Sequence, residues 1–211
     1  MVARSTAPRG RTTASEKILD AAAALFITHG YAATTIEQIA SEAGVAVPTV
    51  YFSFRNKMNI LRSLCDRLLT PDAEPLADHR AALERALAEP DPSEQLAEHV
   101  RAATLRNGRT GQLGAMLRRA VDVDAAAAEL WRADLAQRRE THRRLVSSLR
   151  ARGALAKGVR PQRAVDTLTA LLGPDLYCVL VIDRSWSMRE WQRWTTGTLH
   201  HDLFAGTPSR E

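Results

Sequence analysis

Residues 44–57 read GVAVPTVYFSFRNK, and the fold turns on whether this stretch is a strand or a helix. Its β-branched and aromatic residues suit a buried strand. Pro48 argues the other way, because a central strand does not tolerate a residue that lacks a ladder N–H. A helix does tolerate proline in its first turn, where the N–H has no partner anyway. The residues just upstream decide. Thr34-Thr35-Ile36-Glu37 has the S/T-x-x-E capping form, and Ile36, Ile39, Ala40 and Ala43 recur at helical spacing before Gly44 ends the run. The pattern is helix, a turn of about three to four residues, helix: the outline of a helix-turn-helix. With the second helix starting at Ala46 or Val47, Pro48 falls in its first turn.

Upstream, Thr13-Ala14-Ser15-Glu16 forms another capping box, followed by Ile18, Leu19, Ala22, Leu25 and Phe26 and stopped by His29-Gly30. Downstream, Asn56 caps a helix through Met58, Ile60, Leu61, Leu64, Cys65 and Leu68, which Thr70-Pro71-Asp72 breaks. Further helical patterns run from Leu76 to Leu87, from Asp91-Pro92-Ser93-Glu94 onward, and from about Asp124 to Arg152 with a stop at Gly153. Pro161 opens a hydrophobic helix to about Asp183, and Ser187-Met188-Arg189-Glu190 caps a last one to Phe204. Asn107-Gly108 to Gly114 reads as a loop or a weak short helix. The expectation is an all-α fold of about nine to ten helices.

Composition agrees. The 211 residues are 45% hydrophobic and 25% charged, with 11 glycines, 9 prolines and only 5% aromatics, which favours soluble helix over sheet. A net charge of +5 suggests affinity for a polyanion. Cys65 and Cys178 form no C-x-x-C spacing, against a disulfide scaffold or zinc site and in keeping with a reducing cytoplasm. No apolar stretch marks a secretory signal near Met1. The run Leu168–Ile182, broken by Gly173, Pro174 and Asp175, reads as too short for a membrane span of ~20 residues. The expected location is therefore the cytoplasm. No Gly-rich phosphate loop, G-x-S-x-G or H-E-x-x-H occurs, so no catalytic residue, cofactor or metal is expected. His200-His201-Asp202 does not change that, because adjacent helical side chains diverge by about 100°.

Residues 18–61, ILDAAAALFITHGYAATTIEQIASEAGVAVPTVYFSFRNKMNIL, carry G-Y before T-T, I-A before A-G-V, T-x-Y before F, and Lys57 at the head of the next helix. This ordered set resembles the DNA-binding segment of the tetracycline-repressor-like (TetR) family of bacterial regulators. The ending WSMREWQRWTTGTLHHDLF, residues 186–204, resembles the last dimerisation helix of such proteins. The chain departs from the family in its second motif helix. A serine or threonine usually stands where Ala46 does, a loss of capping of ~1 kcal/mol. Lysine or arginine is frequent at the Val47 position, glycine or alanine at Pro48, histidine or tyrosine near Phe52 and Ser53, and glutamate at Met58.

The resemblance implies four segments: a flexible basic arm over 1–12, a helix-turn-helix DNA-binding domain over 13–60, a ligand-binding and dimerisation domain over 61–205, and a disordered tail over 206–211. In a helix-turn-helix the second helix enters the major groove N-terminus first. Val47 and Pro48 offer apolar contact suited to a thymine methyl, and Thr49 can bond a base or a phosphate. The resemblance assigns phosphate contacts to Thr34 or Thr35, Tyr51 and Lys57, with Arg55 as an addition. Phe54 belongs to the core and Tyr51 to the DNA side; Phe52 fits either and is counted among the DNA-binding candidates. Arg4, Arg9 and Arg11 form either an arm along the DNA or a solubilising tail.

For the rest of the chain the resemblance implies a ligand pocket and a homodimer. The pocket candidates are His99, Arg106, Met116, Trp131, Leu135 and Tyr177, and the effector would be small and mostly apolar. Leu168, Leu172, Leu176, Val179, Trp191, Trp194 and Leu199 are the dimer-interface candidates, since they exceed one ordinary core stripe. From Glu129 to Arg152 seven arginines face three acids, a surplus read as a solvated surface. The function implied is a DNA-binding transcriptional regulator, a repressor on a palindromic operator. Two other readings remain: a regulator without a small-molecule ligand, whose C-terminal part serves dimerisation or protein partners, and an enzyme on a helical scaffold.

Overall fold

Capping residues set the helices of this chain, and the first shows how. The Thr13 side chain accepts from the Glu16 N–H while the Glu16 carboxylate accepts from the Thr13 N–H. The computed structural model describes residues 13–69, 77–122 and 124–204. The helices are α1 (Ala14–His29), α2 (Ile36–Ala43), α3 (Val47–Phe54), α4 (Lys57–Leu69), α5 (Ala77–Ala88), α6 (Pro92–Ala120), α7 (Ala125–Ala151), α8 (Pro161–Leu171), α9 (Pro174–Tyr177) and α10 (Met188–Leu203). Helix α9 runs on into a π-helical turn over Cys178–Asp183. The described residues form no strand; a single isolated bridge joins Leu155 to Phe204. The fold is all-α.

Two compact units divide between Ser63 and Leu64, inside α4. In the N-terminal unit, Ile18, Phe26, Ile39, Val50, Ile60 and Leu61 are buried. Each such side chain contributes about 1.5–3 kcal/mol by leaving water. The C-terminal unit gathers Leu96, Val100, Leu145, Leu149, Leu168, Trp191 and Leu199 into one core. The expected caps at Asp91 and Ser187 are present: Asp91 accepts from the Ser93 and Glu94 N–H groups, and Ser187 forms a capping box with Glu190. The basic residues Arg4, Arg9 and Arg11, the break at Thr70-Pro71-Asp72 and the C-terminal tail lie outside the described residues.

Three expectations need correction. The α2 cap sits one residue later than read: Thr35 caps and Gln38 returns the bond, while Thr34 turns inward. The stretch Asn107–Gly114 is no loop but the middle of the 29-residue α6. Its glycines act in packing. A Cβ on Gly111 would stand 3.2 Å from Tyr177 Cδ1, and one on Gly114 would stand 3.1 Å from Pro174 Cβ, so their small size admits α9 close against α6. The hydrophobic helix from Pro161 to Asp183 is likewise not continuous. It stops at Leu171 and restarts at Pro174, which has no N–H to extend the earlier helix. By length and composition Pro161–Asp183 is apolar enough to cross a membrane, with mean hydropathy 1.6. Ala164, Val165 and Leu168 of that run are instead buried in the unit's core.

Candidate nucleic-acid interface and C-terminal cavity

Gly44 makes the turn of the helix-turn-helix. It adopts the left-handed conformation at φ 64° and ψ 37°, where a side chain is disfavoured, and its N–H donates to the Ala40 and Ser41 carbonyls. The chain re-enters helix at Val47 with Ala46 as an N-cap that has no side-chain hydrogen bond. Pro48 lies in the first turn of α3, as its missing N–H requires. Val50 and Phe54, four apart, point inward, and α3 packs against α1 and α2.

The opposite face looks to solvent. Phe52 is 92% exposed and Tyr51 47%, with Pro48 and Ser53 also exposed and Val47 and Thr49 half-buried. Phe52, which the pattern divides between core and DNA side, belongs to this outer face. Helix α3 ends at Arg55, exposed and held at φ 64° and ψ −39°, a region uncommon for a side-chain-bearing residue. Asn56 Oδ1 then accepts from the Asn59 N–H and caps α4.

Two of the expected phosphate ligands have other tasks. Thr34 is buried, and its hydroxyl donates to the Gly30 carbonyl at 2.9 Å and the Leu25 carbonyl at 3.3 Å. It ties the end of α1 to the start of α2 and is withdrawn from the surface. Lys57 Nζ donates to the carbonyls of Tyr31 (2.8 Å), Ala32 (3.2 Å) and Thr34 (2.8 Å) and stands 4.6 Å from the Tyr31 ring centroid. An ammonium has three N–H donors, so the α1–α2 connection takes them all. Lys57 organises the motif from within. Thr35, Tyr51 and Arg55 remain exposed, and Arg11 lies outside the described residues.

The C-terminal unit holds a cavity of about 80 Å³ with a charged wall. Asp134 on α7 bridges two arginines: Arg106 Nη2 donates to its Oδ1, and Arg138 Nε donates to its Oδ2 at 2.9 Å. All three are under a tenth exposed. Beside them His99 Nε2 and His142 Nδ1 share a hydrogen bond at 2.9 Å. His79 Nδ1 donates to the Ala102 carbonyl at 2.8 Å. Burial lowers the His99 pKa to about 4, helped by His79. Burial likewise lowers His79 to about 4, against the Ala102 hydrogen bond and with Arg106 and Arg80 adding to the effect. His142 falls well below the usual imidazole range through burial and then the charges around it. At neutral pH all three rings are uncharged. Leu83, Ala103 and Leu172 complete the lining.

A second, more open cavity of about 210 Å³ adjoins the first and shares Arg80, Leu83, His99 and Thr141 with it. Leu87, Ala86 and Leu145 give it an apolar wall, and Glu84, Gln95 and Arg144 a polar rim.

Of the six expected pocket residues, the structure brings His99 and Arg106 to the inner cavity. Met116 and Tyr177 are core, Tyr177 lying edge-on to Trp191 at 5.1 Å. Leu135 is half-buried, and the Trp131 ring carries Arg138 Cζ at 4.9 Å. None of these four lines either cavity. Sequence reasoning missed His79, Asp134, Arg138 and His142. Asp134, Arg138 and His142 stand four apart in turn on α7, a one-face spacing that was available to be read.

Of the dimer candidates, Leu168, Leu172, Trp191 and Leu199 are buried within the unit itself and have no surface left for a partner. Leu176 is half-buried; Val179 and Trp194 are exposed at 45% and 38%. Ile182 and Met188 extend the exposed apolar set. Cys65 and Cys178 are free thiols, and burial pushes Cys65 up to about 12. Among the described residues no group of His, Cys, Asp or Glu is arranged to hold a metal.

Residues 18–64 match the family model described as bacterial regulatory proteins, tetR family. The HTH-type transcriptional repressor ComR of Escherichia coli (strain K12) is 36% identical over 77 residues, 36% of this chain and 35% of ComR. SrpR of Pseudomonas putida, an HTH-type transcriptional regulator, is 36% identical over 63 residues, 30% of this chain and 29% of SrpR. The chain thus spans about a third of the length of these curated relatives. Among solved structures, the MbdR regulator from Azoarcus sp. CIB superposes with a TM-score of 0.73 at 19% identity, covering 92% of this chain and all of that one. The SmeT–triclosan complex gives 0.67 at 21% identity, covering 92% and 93%. These last likenesses are of fold.

Proposed function

We propose that this TetR-family protein is a DNA-binding transcriptional repressor. In this reading it grips a palindromic operator as a homodimer in the cytoplasm and is released by a small, mostly apolar effector. The observation that carries the reading is the outer face of α3. A soluble protein has no folding reason to hold Phe52 almost wholly in water beside a half-exposed Tyr51, Pro48 and Thr49. On the second helix of a helix-turn-helix, that face is the one that meets the major groove.

The groove-facing residues are nearly free of hydrogen-bond donors. Val47, Pro48 and Phe52 offer apolar contact to thymine methyls, and Thr49 offers one hydroxyl. Specificity then rests on Thr49, on methyl contacts and on DNA shape. Thr35, Tyr51 and Arg55 are positioned for the backbone, where contacts set register without reading sequence.

Val179, Ile182 and Trp194 support the homodimer, since large apolar side chains left exposed favour an interface. Two-fold symmetry calls for half-sites about one helical turn, ~34 Å, apart. The cavities of the C-terminal unit, and the triclosan seen with SmeT, favour a small-molecule effector over a domain that serves only partners. An effector releases DNA only to the extent that it binds the DNA-free state better.

The test uses DNA selected by the full chain from a random library. Thr49→Ala is expected to change the preference among selected sequences, and Arg55→Ala to reduce the salt slope of binding by about one. Unchanged binding in both variants would remove α3 from the interface.

A further inference from the structure

We propose that the inner cavity of the C-terminal unit binds a monoanionic small molecule. Its carboxylate is taken by Arg138 and its apolar body lies in the adjoining outer cavity. This rests on the effector reading above and gives that effector a chemical class.

The first observation is an orphan. Arg138 Nη2 is buried and has no hydrogen-bond acceptor among the described residues. A buried guanidinium edge without an acceptor is costly, and native proteins rarely leave one. Arg138 Nε is satisfied by Asp134, and the guanidinium stands over the Trp131 ring. The ring compensates the face of the group; it cannot accept from the in-plane Nη2 donor.

The second observation is charge. Arg106 and Arg138 share the single carboxylate of Asp134, so the cluster carries one uncompensated positive charge in a site under a tenth exposed. Burial of an unmatched charge is unfavourable unless something neutralises it. Nη2 has almost no accessible surface in this conformation, so an acceptor in the cavity reaches it only as the guanidinium turns, and a water there brings no charge. A carboxylate supplies both the acceptor and the negative charge, in the geometry that guanidinium prefers. The Arg106–Asp134–Arg138 cluster by itself carries one surplus charge, which matches a monoanion, and Arg80 also lines the cavity.

The third observation is shape. The inner cavity is lined by Arg106, Arg138, Thr141, Gln137 and the imidazole pair together with Leu83, Ala103 and Leu172. The outer cavity continues from shared Leu83 and Thr141 to Ala86, Leu87 and Leu145. A charged inner cavity beside an outer one with an apolar wall and a polar rim is a lining that an acid with a hydrocarbon body can use.

The test titrates the full chain calorimetrically with octanoate, octanol, octylamine and octyl phosphate, which share one tail and differ in head. Octanoate is expected to bind about tenfold or more tighter than each of the others, the scale of one charge-assisted hydrogen bond. Arg138→Met keeps the Arg106–Asp134 pair and is expected to abolish that preference while leaving octanol unchanged. Equal affinity for octanoate and octanol, tightest binding of octyl phosphate, no binding of any probe, or a preference that survives in Arg138→Met would each overturn the proposal. The wild-type series alone decides if the variant does not fold. Release of library-selected DNA is scored separately: octanoate that binds without releasing DNA leaves the anion site standing and defeats the effector reading.

Discussion

The two units break the usual partition of side chains in opposite directions. The N-terminal unit puts Phe52 and Tyr51 into water on α3, while the cation at the head of α4, Lys57, is turned inward onto backbone carbonyls. The C-terminal unit buries Arg106, Asp134, Arg138, His99 and His142. Apolar residues outside and charged residues inside both run against the solvent preference that folds a chain. Neither exception aids folding, so each marks a place where something other than folding sets the residue type. In the proposed function the exposed exception meets a large partner that covers it, and the buried exception a small one that enters.

That contrast can be broken most sharply at Asp134. Asp134→Ala leaves two buried arginines without their shared carboxylate, and urea denaturation is expected to show a loss of about 4 kcal/mol. A loss below about 1 kcal/mol, the range of an exposed pair, would mean the cluster is hydrated and the contrast false.

Acid probes the same interior. His99 titrates near 6.5 when unfolded and about 4 when folded, so the unfolded chain binds more protons between those values. Stability is therefore full above about pH 6.5, falls as pH drops toward 4, and changes no further below that through this group. For His99 the loss is on the order of 3 kcal/mol. Around the His99–His142 pair, His79, Arg106, Arg138 and Arg139 disfavour its protonation. Melting temperatures of His99→Gln recorded from pH 7.5 to 4 are expected to give a flatter slope than wild type. An equal slope would place the acid sensitivity elsewhere.

Lys57→Ala sharpens the comparison in the other unit. Loss of three charge-assisted hydrogen bonds is expected to lower stability by about 2 kcal/mol with no change in the salt slope of DNA binding. The reverse outcome, unchanged stability with a slope reduced by about one, would return Lys57 to the phosphate backbone. Phe52→Ala should have the smallest effect on folding, within about 0.5 kcal/mol, since the ring buries almost nothing. Affinity for selected DNA is expected to fall about tenfold in a mobility-shift titration.

Where the sequence could be read and where it could not follows from the range of the interactions. Caps are local, so Thr13, Asp91 and Ser187 were legible together with the turn at Gly44 and the place of Pro48. The α2 cap failed by one residue because Thr34-Glu37 and Thr35-Gln38 fit the same spacing; only the inward hydrogen bonds of Thr34, to residues four and nine positions back, separate them. The α6 glycines misled for a similar reason. Alone they weaken a helix by about 1 kcal/mol each, and their use depends on Tyr177 and Pro174, far along the chain. Leu168, Leu172, Trp191 and Leu199 looked surplus because α6 and α7, which adjoin α8 and α10, are invisible from their own stretch. The buried charges of α7 were read as solvated because arginine usually is. Their four-residue spacing was the signal that went unused.

Helix α3 carries a further consequence through its two ends. It is eight residues long, begins at an uncapped Ala46 and finishes at Arg55 with a positive φ. A helix so short is unstable in isolation, and only Val50 and Phe54 anchor this one. Its amides should therefore exchange with deuterium sooner than those of α1, through openings far smaller than global unfolding. Binding of DNA would slow that exchange. The groove-reading element is thus expected to be the least persistent helix of its unit until its partner arrives, and part of the affinity for any sequence is used in holding it shut.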